Sequence, residues 1–296
     1  MSSAAAPLSG TYTALVTPFR NQSVDETALA RLVEDQIAAG IDGLIPTGTT
    51  GESATLTMEE HLRVIELTVQ VAAKRVKVFG GTGSNSTTEA IYLTQQAQKR
   101  GVDGFLVVTP YYNKPSQAGL FAHYSALAEA SWLPMITYSV PGRTGMEVAI
   151  DTMASLALKH PNIVAIKEAG GSIERFNQLR QALPDNISIF SGDDSMTLPA
   201  LAVGAHGVIS VASNLIPKEV CAMVRAFREG RAVEAEQLHR KFYPLFRDLF
   251  IEANPVPVKT AMARAGWMTE EVRLPLVSLQ PQNRDRLEVV LGHFGL

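Results

Sequence analysis

Short runs of β-branched and other apolar residues recur along the chain at 12–16, 42–46, 77–80, 105–109, 135–138, 163–167, 187–191 and 207–211. Runs of this length read as strands buried on both faces, as parallel strands are. Between most of them the apolar positions switch to a helical period. Leu62, Ile65, Val69 and Ala72, for example, fall on one helix face. Three helix starts carry the capping-box pattern: Ser23 with Glu26, Thr57 with Glu60 and Ser86 with Glu89. The helix ends share a device of two glycines three apart, in Gly40-Ile41-Asp42-Gly43, Gly101-Val102-Asp103-Gly104 and Gly204-Ala205-His206-Gly207. The first glycine can take the left-handed cap, and the second opens the next strand.

Eight strands alternating with helices imply parallel pairing, and a βα unit repeated eight times closes into a barrel. The expected fold is therefore α/β, a (β/α)8 TIM barrel. An open doubly wound sheet would want a phosphate-cradling glycine loop after its first strand, where this chain has Val16-Thr17-Pro18-Phe19. Beyond the eighth run the pattern stays helical, at 217–229, 232–250 and 256–265. Residues 1–215 are thus read as the barrel with the active site. Residues 216–296 are read as a C-terminal helical extension packed on it, since no flexible linker separates the two.

Composition narrows the function classes. The 296 residues are 46% hydrophobic and 19% charged, with a formal net charge of -3, which offers no basic footprint for nucleic acid or a membrane surface. Cys221 is the only cysteine, which excludes an intramolecular disulfide and a multi-cysteine metal cluster. Residues 1–7 lack the basic start and apolar core of a secretion signal, and no apolar run is long enough to span a bilayer. The glycosylation-like triplets at Asn21 and Asn85 are idle if the protein is not exported, and a cytoplasmic location is expected.

In such barrels chemistry lies at the carboxyl ends of the strands. The sixth run ends Ile163-Val164-Ala165-Ile166-Lys167, an apolar strand meeting a lysine with no polar spacer. A buried ammonium is costly and loses its proton more easily, which makes it a nucleophile suited to Schiff-base chemistry. The bland alternative is a solvated residue just past the strand. The second run leads into Gly48-Thr49-Thr50-Gly51-Glu52-Ser53, whose N–H groups could seat a carboxylate or only form a turn. The fourth ends in a loop with adjacent Tyr111 and Tyr112, the fifth at Tyr138 with Arg143 five residues on. Asp193 and Asp194 after the seventh read as helix N-caps. A nucleophilic amine, phenols, hydroxyls and an arginine together are the equipment of a Schiff-base lyase or aldolase acting on a 2-oxo acid. The six histidines have no metal-ligand spacing, and Gly81-Thr82-Gly83 lacks the third glycine of a dinucleotide fingerprint. No metal and no cofactor are expected.

Gly48–Ser53, 110–115, 138–145 and 163–169 resemble the signature segments of the dihydrodipicolinate synthase/N-acetylneuraminate lyase family of class I aldolases. The resemblance runs over essentially the whole chain, including 10–19 and Asn254-Pro255-Val256-Pro257-Val258-Lys259. Gly142-Arg143-Thr144-Gly145 and the Tyr111-Tyr112 pair point to the synthase branch and away from sialic acid or sugar-acid lyases. Ser139 and Gly142 stand where asparagine and serine are common.

The resemblance implies condensation of pyruvate with L-aspartate 4-semialdehyde to 4-hydroxy-tetrahydrodipicolinate, the first committed step of the diaminopimelate route to lysine. Lys167 would form the imine, and Tyr138, Thr49 and Tyr112 would relay protons, Tyr112 coming from the neighbouring subunit of a homotetramer built as a dimer of dimers. Thr50 would hold pyruvate's carboxylate and Arg143 that of the second substrate. Gly192 and the carbonyl of Ile209 would line the far wall. Ser53, Ala54, His61, Asn85, Glu89 and Tyr111 match the positions at which lysine binds in feedback-inhibited members. Met58 stands where a histidine is common in those members, so partial inhibition is expected. Two alternatives remain at this point: another pyruvate-dependent aldolase of the family, and a catalytically silent sensor of a 2-oxo acid.

Overall fold

The computed structural model describes residues 7–296. The segment 1–6, read above as part of a start without a secretion signal, lies outside the described residues. Eight parallel strands close into a barrel: β1 (Gly10–Ala14), β4 (Gly43–Ile45), β5 (Lys77–Gly81), β6 (Gly104–Val108), β7 (Met135–Ser139), β8 (Ile163–Glu168), β9 (Ser188–Ser191) and β10 (Gly207–Ser210). β1 pairs with both β10 and β4, which shuts the ring and leaves no open edge. A two-stranded hairpin, β2 (Phe19–Arg20) with β3 (Ser23–Val24), follows β1. Its turn residues Asn21 and Gln22 both have positive φ, as a tight hairpin turn requires.

The helices are α1 (Glu26–Ala38), α2 (Met58–Ala72), α3 (Thr87–Lys99), α4 (Gln117–Glu129), the single turn α5 (Pro141–Thr144), α6 (Ile150–Lys159), α7 (Ile173–Ala182) and α8 (Thr197–Ala202). After β10 come α9 (Pro217–Arg228), α10 (Ala232–Asp248), α11 (Val256–Arg264) and α12 (Pro281–His293). Helix α9 packs on β1 as well as on α10, so the extension meets the barrel through a shared helix. No helix among the described residues is long and apolar enough to cross a membrane.

Two apolar layers hold the barrel together. The inner one includes Tyr12, Phe79, Leu106, Ile136, Ala165, Phe190 and Ile209. Tyr12 meets Phe79 and Phe190 edge-on, with ring centroids 5.9 and 5.3 Å apart. The outer layer lies between strands and helices and continues into the extension through Phe242, Leu245, Phe246 and Met262. The paired glycines behave as a unit. Gly40, Gly101 and Gly204 have φ near +84°, +84° and +97°, and their partners open β4, β6 and β10 where a side chain would collide with a neighbouring ring or backbone.

Three local expectations are corrected. Helix α1 is capped by Asp25, whose side chain accepts from the N–H of Ala28, because Ser23 is held in the β2–β3 hairpin. The Ser86–Glu89 box is half formed: Ser86 caps α3, but the Glu89 carboxylate accepts from Ser84 Oγ instead of reaching back. Only Thr57–Glu60 makes the full reciprocal box. The first strand begins at Gly10, two residues earlier than its apolar run. Its run stops short of Val16: Leu15 N–H still donates to the Ile45 carbonyl at 3.0 Å, while Val16 N–H turns to Asn214 Oδ1, 3.1 Å away.

Candidate active site

The last residues of β8 set the centre of the site. Lys167 lies in register with Tyr138 on β7 and Phe190 on β9, so its side chain projects among residues of the barrel interior. It is 4% exposed, which overturns the reading of a solvated residue after the strand. Burial takes its pKa down to about 7; the charge of Asp194 opposes that shift and Arg143 adds to it. The amine sits 4.3 Å from the centroid of the Tyr138 ring. Gly192 makes the room, since a Cβ there would lie 2.8 Å from Lys167 Cε.

Tyr138 is buried as well, and burial pushes its phenol up from the usual value. Arg143 and the hydroxyl of Thr49 beside it pull the other way, and Glu168 adds to the rise. One burial therefore moves two groups oppositely, leaving the amine easier to deprotonate and the phenol harder. Near neutral pH the pair thus offers an amine that is in large part uncharged next to a proton-bearing hydroxyl.

The 48–53 loop folds back on itself. The N–H groups of Gly51 and Ser53 donate to the carbonyl of Gly48, and that of Glu52 to Thr49. Among the described residues the N–H groups of Thr49 and Thr50 meet no acceptor, so two donors stand together. The hydroxyl of Thr50 accepts from Asn254 Nδ2 at 3.0 Å, which leaves its own proton to give. Arg143, on the single turn α5 after β7, donates to the carbonyl of Asn254 at 3.1 Å. A cavity of about 320 Å³ is lined by Thr49 and Arg143, both of which act on the Tyr138 phenol, and by Asn254. Ile209 is fully buried in the barrel interior on β10.

Tyr112 is not brought in. It is 90% exposed, with φ at 74°, so it points into solvent from a strained loop position. Its neighbour Tyr111 lines the cavity with Ser53 and Ala54, and the Tyr111 carbonyl accepts from Asn85 Nδ2 at 3.1 Å. His61 is buried, with a ring nitrogen 2.7 Å from the Gly81 carbonyl, and burial holds its pKa down. Glu89 is exposed near it, and its charge acts on the His61 ring.

Two buried carboxylates escaped the reading of the sequence. Neither aspartate is the helix N-cap expected: Met196 holds that position ahead of α8 with no side-chain cap, and Asp193 accepts from Ser195 N–H and Oγ in the turn before it. Asp194 instead turns inward, where it accepts from Ser210 Oγ and from the N–H groups of Val211 and Ala212. Its pKa is pushed up to about 6 by burial, against those hydrogen bonds. Glu168, next to Lys167, is held by Arg175 through Nε and Nη2 at 3.1 and 2.9 Å and by Gly170 N–H. Only Glu168 carried a signal in the chain, as an acidic residue ending an apolar strand with no solvated spacer. Among the described residues no group of three or more His, Cys, Asp or Glu could hold a metal ion.

Residues 7–294 match the Dihydrodipicolinate synthetase family. The chain belongs to that family. A relative from Geotalea uraniireducens, named 4-hydroxy-tetrahydrodipicolinate synthase, is 53% identical over 97% of this chain and 99% of its own. The structure of the 4-hydroxy-tetrahydrodipicolinate synthase from Methylacidiphilum fumariolicum SolV superposes with a TM-score of 0.97 at 56% identity, covering 97% of this chain and 96% of that one. A dihydrodipicolinate synthase from Cyanidioschyzon merolae, crystallised with lysine bound, gives a TM-score of 0.95 at 42% identity over 97% and 98% of the two chains. As a dihydrodipicolinate synthetase family member the protein is a lyase-type enzyme on a TIM barrel with a C-terminal helical part.

A lysine that reacts as its free base gains activity as pH rises through its pKa. The rate at which Lys167 condenses with a small 2-oxo acid, measured by borohydride quench between pH 5.5 and 9, should climb about a midpoint near 7. A midpoint close to the ordinary lysine value would contradict the buried environment.

Proposed function

We propose that the protein condenses pyruvate with L-aspartate 4-semialdehyde to give 4-hydroxy-tetrahydrodipicolinate, the first committed step of the diaminopimelate route to lysine. The observation that carries this reading is a buried Lys167 with a pKa near 7, packed on the Tyr138 ring at the carboxyl end of the barrel. Synthases of that name at about half identity along the whole chain support it.

Lys167 adds to the ketone carbon of pyruvate and water leaves, giving an imine. The protonated imine draws electrons from the adjacent methyl group, which loses a proton to become an enamine. The enamine carbon bonds to the aldehyde carbon of the second substrate. That substrate's amino group then attacks the imine carbon, closes the ring and frees Lys167. Tyr138 carries the protons, with Thr49 linking it to the partner subunit's Tyr112. The exposure of Tyr112 in a single chain supports a site completed by pairing, within a homotetramer built as a dimer of dimers.

Pyruvate's carboxylate takes the free N–H groups at Thr49 and Thr50 and the Thr50 hydroxyl, with Gly192 and Ile209 on the far wall. Arg143 lines the cavity, where its planar fork suits the carboxylate of the aldehyde substrate. The barrel at 1–215 carries these residues and the extension at 216–296 packs on it, with α9 at the seam. In this reading the protein works in the cytoplasm on small-molecule substrates, without nucleic acid or membrane partners.

Lysine is the feedback ligand in this reading, held at Ser53, Ala54, His61, Asn85, Glu89 and Tyr111. The lysine-bound relative supports it, as does the grouping of these residues: Asn85 is bonded to the Tyr111 carbonyl, and the charge of Glu89 reaches His61. With Gly81 occupying one His61 nitrogen, only the other remains for a ligand.

Two steady-state measurements follow from these assignments. Arg143→Ala should raise KM for aspartate semialdehyde about tenfold or more, the cost of a lost charged contact, and change KM for pyruvate far less. Equal effects on both would mean that Arg143 only supports the loop. Millimolar lysine should inhibit partially, and Glu89→Ala should relieve the inhibition. Undiminished turnover at saturating lysine would remove the feedback site.

A further inference from the structure

Lys259 on α11 and Glu52 in the 48–53 loop form an ion pair whose side chains are 0% and 1% exposed. Lys259 Nζ donates to Glu52 Oε1 at 2.5 Å and to the Thr17 carbonyl at 3.0 Å, and lies 4.2 Å from the centroid of the Phe19 ring. The other Glu52 oxygen accepts from the N–H of Arg273 at 3.2 Å. The Arg273 guanidinium grips both carboxylate oxygens of Glu60 at 2.7 and 2.6 Å and the Thr55 carbonyl at 3.0 Å. Two segments of the extension thus converge on one loop. The same loop and extension both line the cavity that Arg143 also lines, through Thr49 and Glu52 of the loop and Asn254, Pro255, Pro275 and Leu276 of the extension.

A pair this dry is a poor device for stability, because both charges give up their hydration and an apolar pair of similar volume often holds a fold as firmly. What an ion pair adds is direction, since a charge-assisted hydrogen bond fixes where a carboxylate points. Direction is needed here. Glu52 has φ 54° and ψ 38°, a left-handed conformation that a residue with a Cβ adopts only when its surroundings enforce it. That turn follows directly on Thr49 and Thr50, whose free N–H groups depend on it for their orientation.

We propose that Lys259 and Glu52 are positioning residues for the pyruvate seat, and that through them the helical extension acts on the chemistry. The pair holds the left-handed turn, and the turn presents Thr49 and Thr50 toward Lys167. This rests on the reading of Thr49 and Thr50 as the seat of pyruvate's carboxylate.

The test uses Lys259→Met and the double variant Glu52→Leu/Lys259→Met, in which no charge is stranded. Lys259→Met should raise KM for pyruvate by about tenfold, within the range that small misplacements cost. KM for aspartate semialdehyde should stay within about twofold. Amide hydrogen exchange of the unliganded protein should quicken across 48–55 and keep wild-type rates in β7 and β8. If Lys259→Met does not fold, the double variant decides. It should keep a melting temperature near wild type, yet show the same raised KM for pyruvate and the same fast exchange. A double variant with wild-type KM for pyruvate and wild-type exchange across 48–55 would overturn the proposal and leave the pair as scaffold. The exchange experiment needs no substrate, so it decides the brace even if the wild-type protein takes no pyruvate, an outcome that counts against the activity instead.

Discussion

The amine of Lys167 is held where water scarcely reaches it, and most of the site follows from that. An ammonium in such a place is expensive, so it becomes a weak base, uncharged at a pH where an ordinary lysine is not. The barrel creates the environment by placing the residue in register between Tyr138 and Phe190, and Gly192 completes it by having no side chain. The same dryness keeps the Tyr138 phenol protonated. One physical cause thus sets amine and phenol in opposite directions, 4.3 Å from the amine to the ring, as the proposed roles of nucleophile and proton carrier require.

Around this centre the charges are arranged in opposition. Asp194 restrains the fall of the Lys167 pKa and Arg143 deepens it, while Arg143 also eases the phenol. Asp194 can do this because Ser210 and two backbone N–H groups hold it in place. In the proposed reading, strands position the covalent chemistry, whereas the carboxylate seats lie on loops and need supports from elsewhere. Those supports come from the extension: Asn254 touches both Thr50 and Arg143, and Lys259 reaches Glu52. The helical part is thus tied to the site as closely as to the barrel wall.

The architecture was largely legible in the chain because its signals are local. Apolar runs of strand length, helical periods between them and the paired glycines each mark an element within a few residues. Lys167 was legible for the same reason, as a lysine abutting an apolar strand. Asp194 was not, because a helix cap and a buried counter-charge look alike until β10 is seen to bring Ser210 beside it. The Lys259–Glu52 pair was equally hidden, since 207 residues separate its ends. The burial of His61 was hidden too, since a histidine among helix polar positions gives no sign that the Gly81 carbonyl on β5 lies within reach. Local pattern locates elements and the residues that end them; pairings across the fold depend on closure of the ring.

The central claim is that Lys167 is the covalent nucleophile toward a 2-oxo acid. It is tested most directly by borohydride reduction in the presence of pyruvate, followed by intact mass and peptide mapping, on the wild-type protein and on Lys167→Ala. The account predicts one reduced pyruvate adduct per chain, carried on the peptide containing Lys167, and none in Lys167→Ala. An adduct that persists in Lys167→Ala, or one that maps to another lysine, would contradict it.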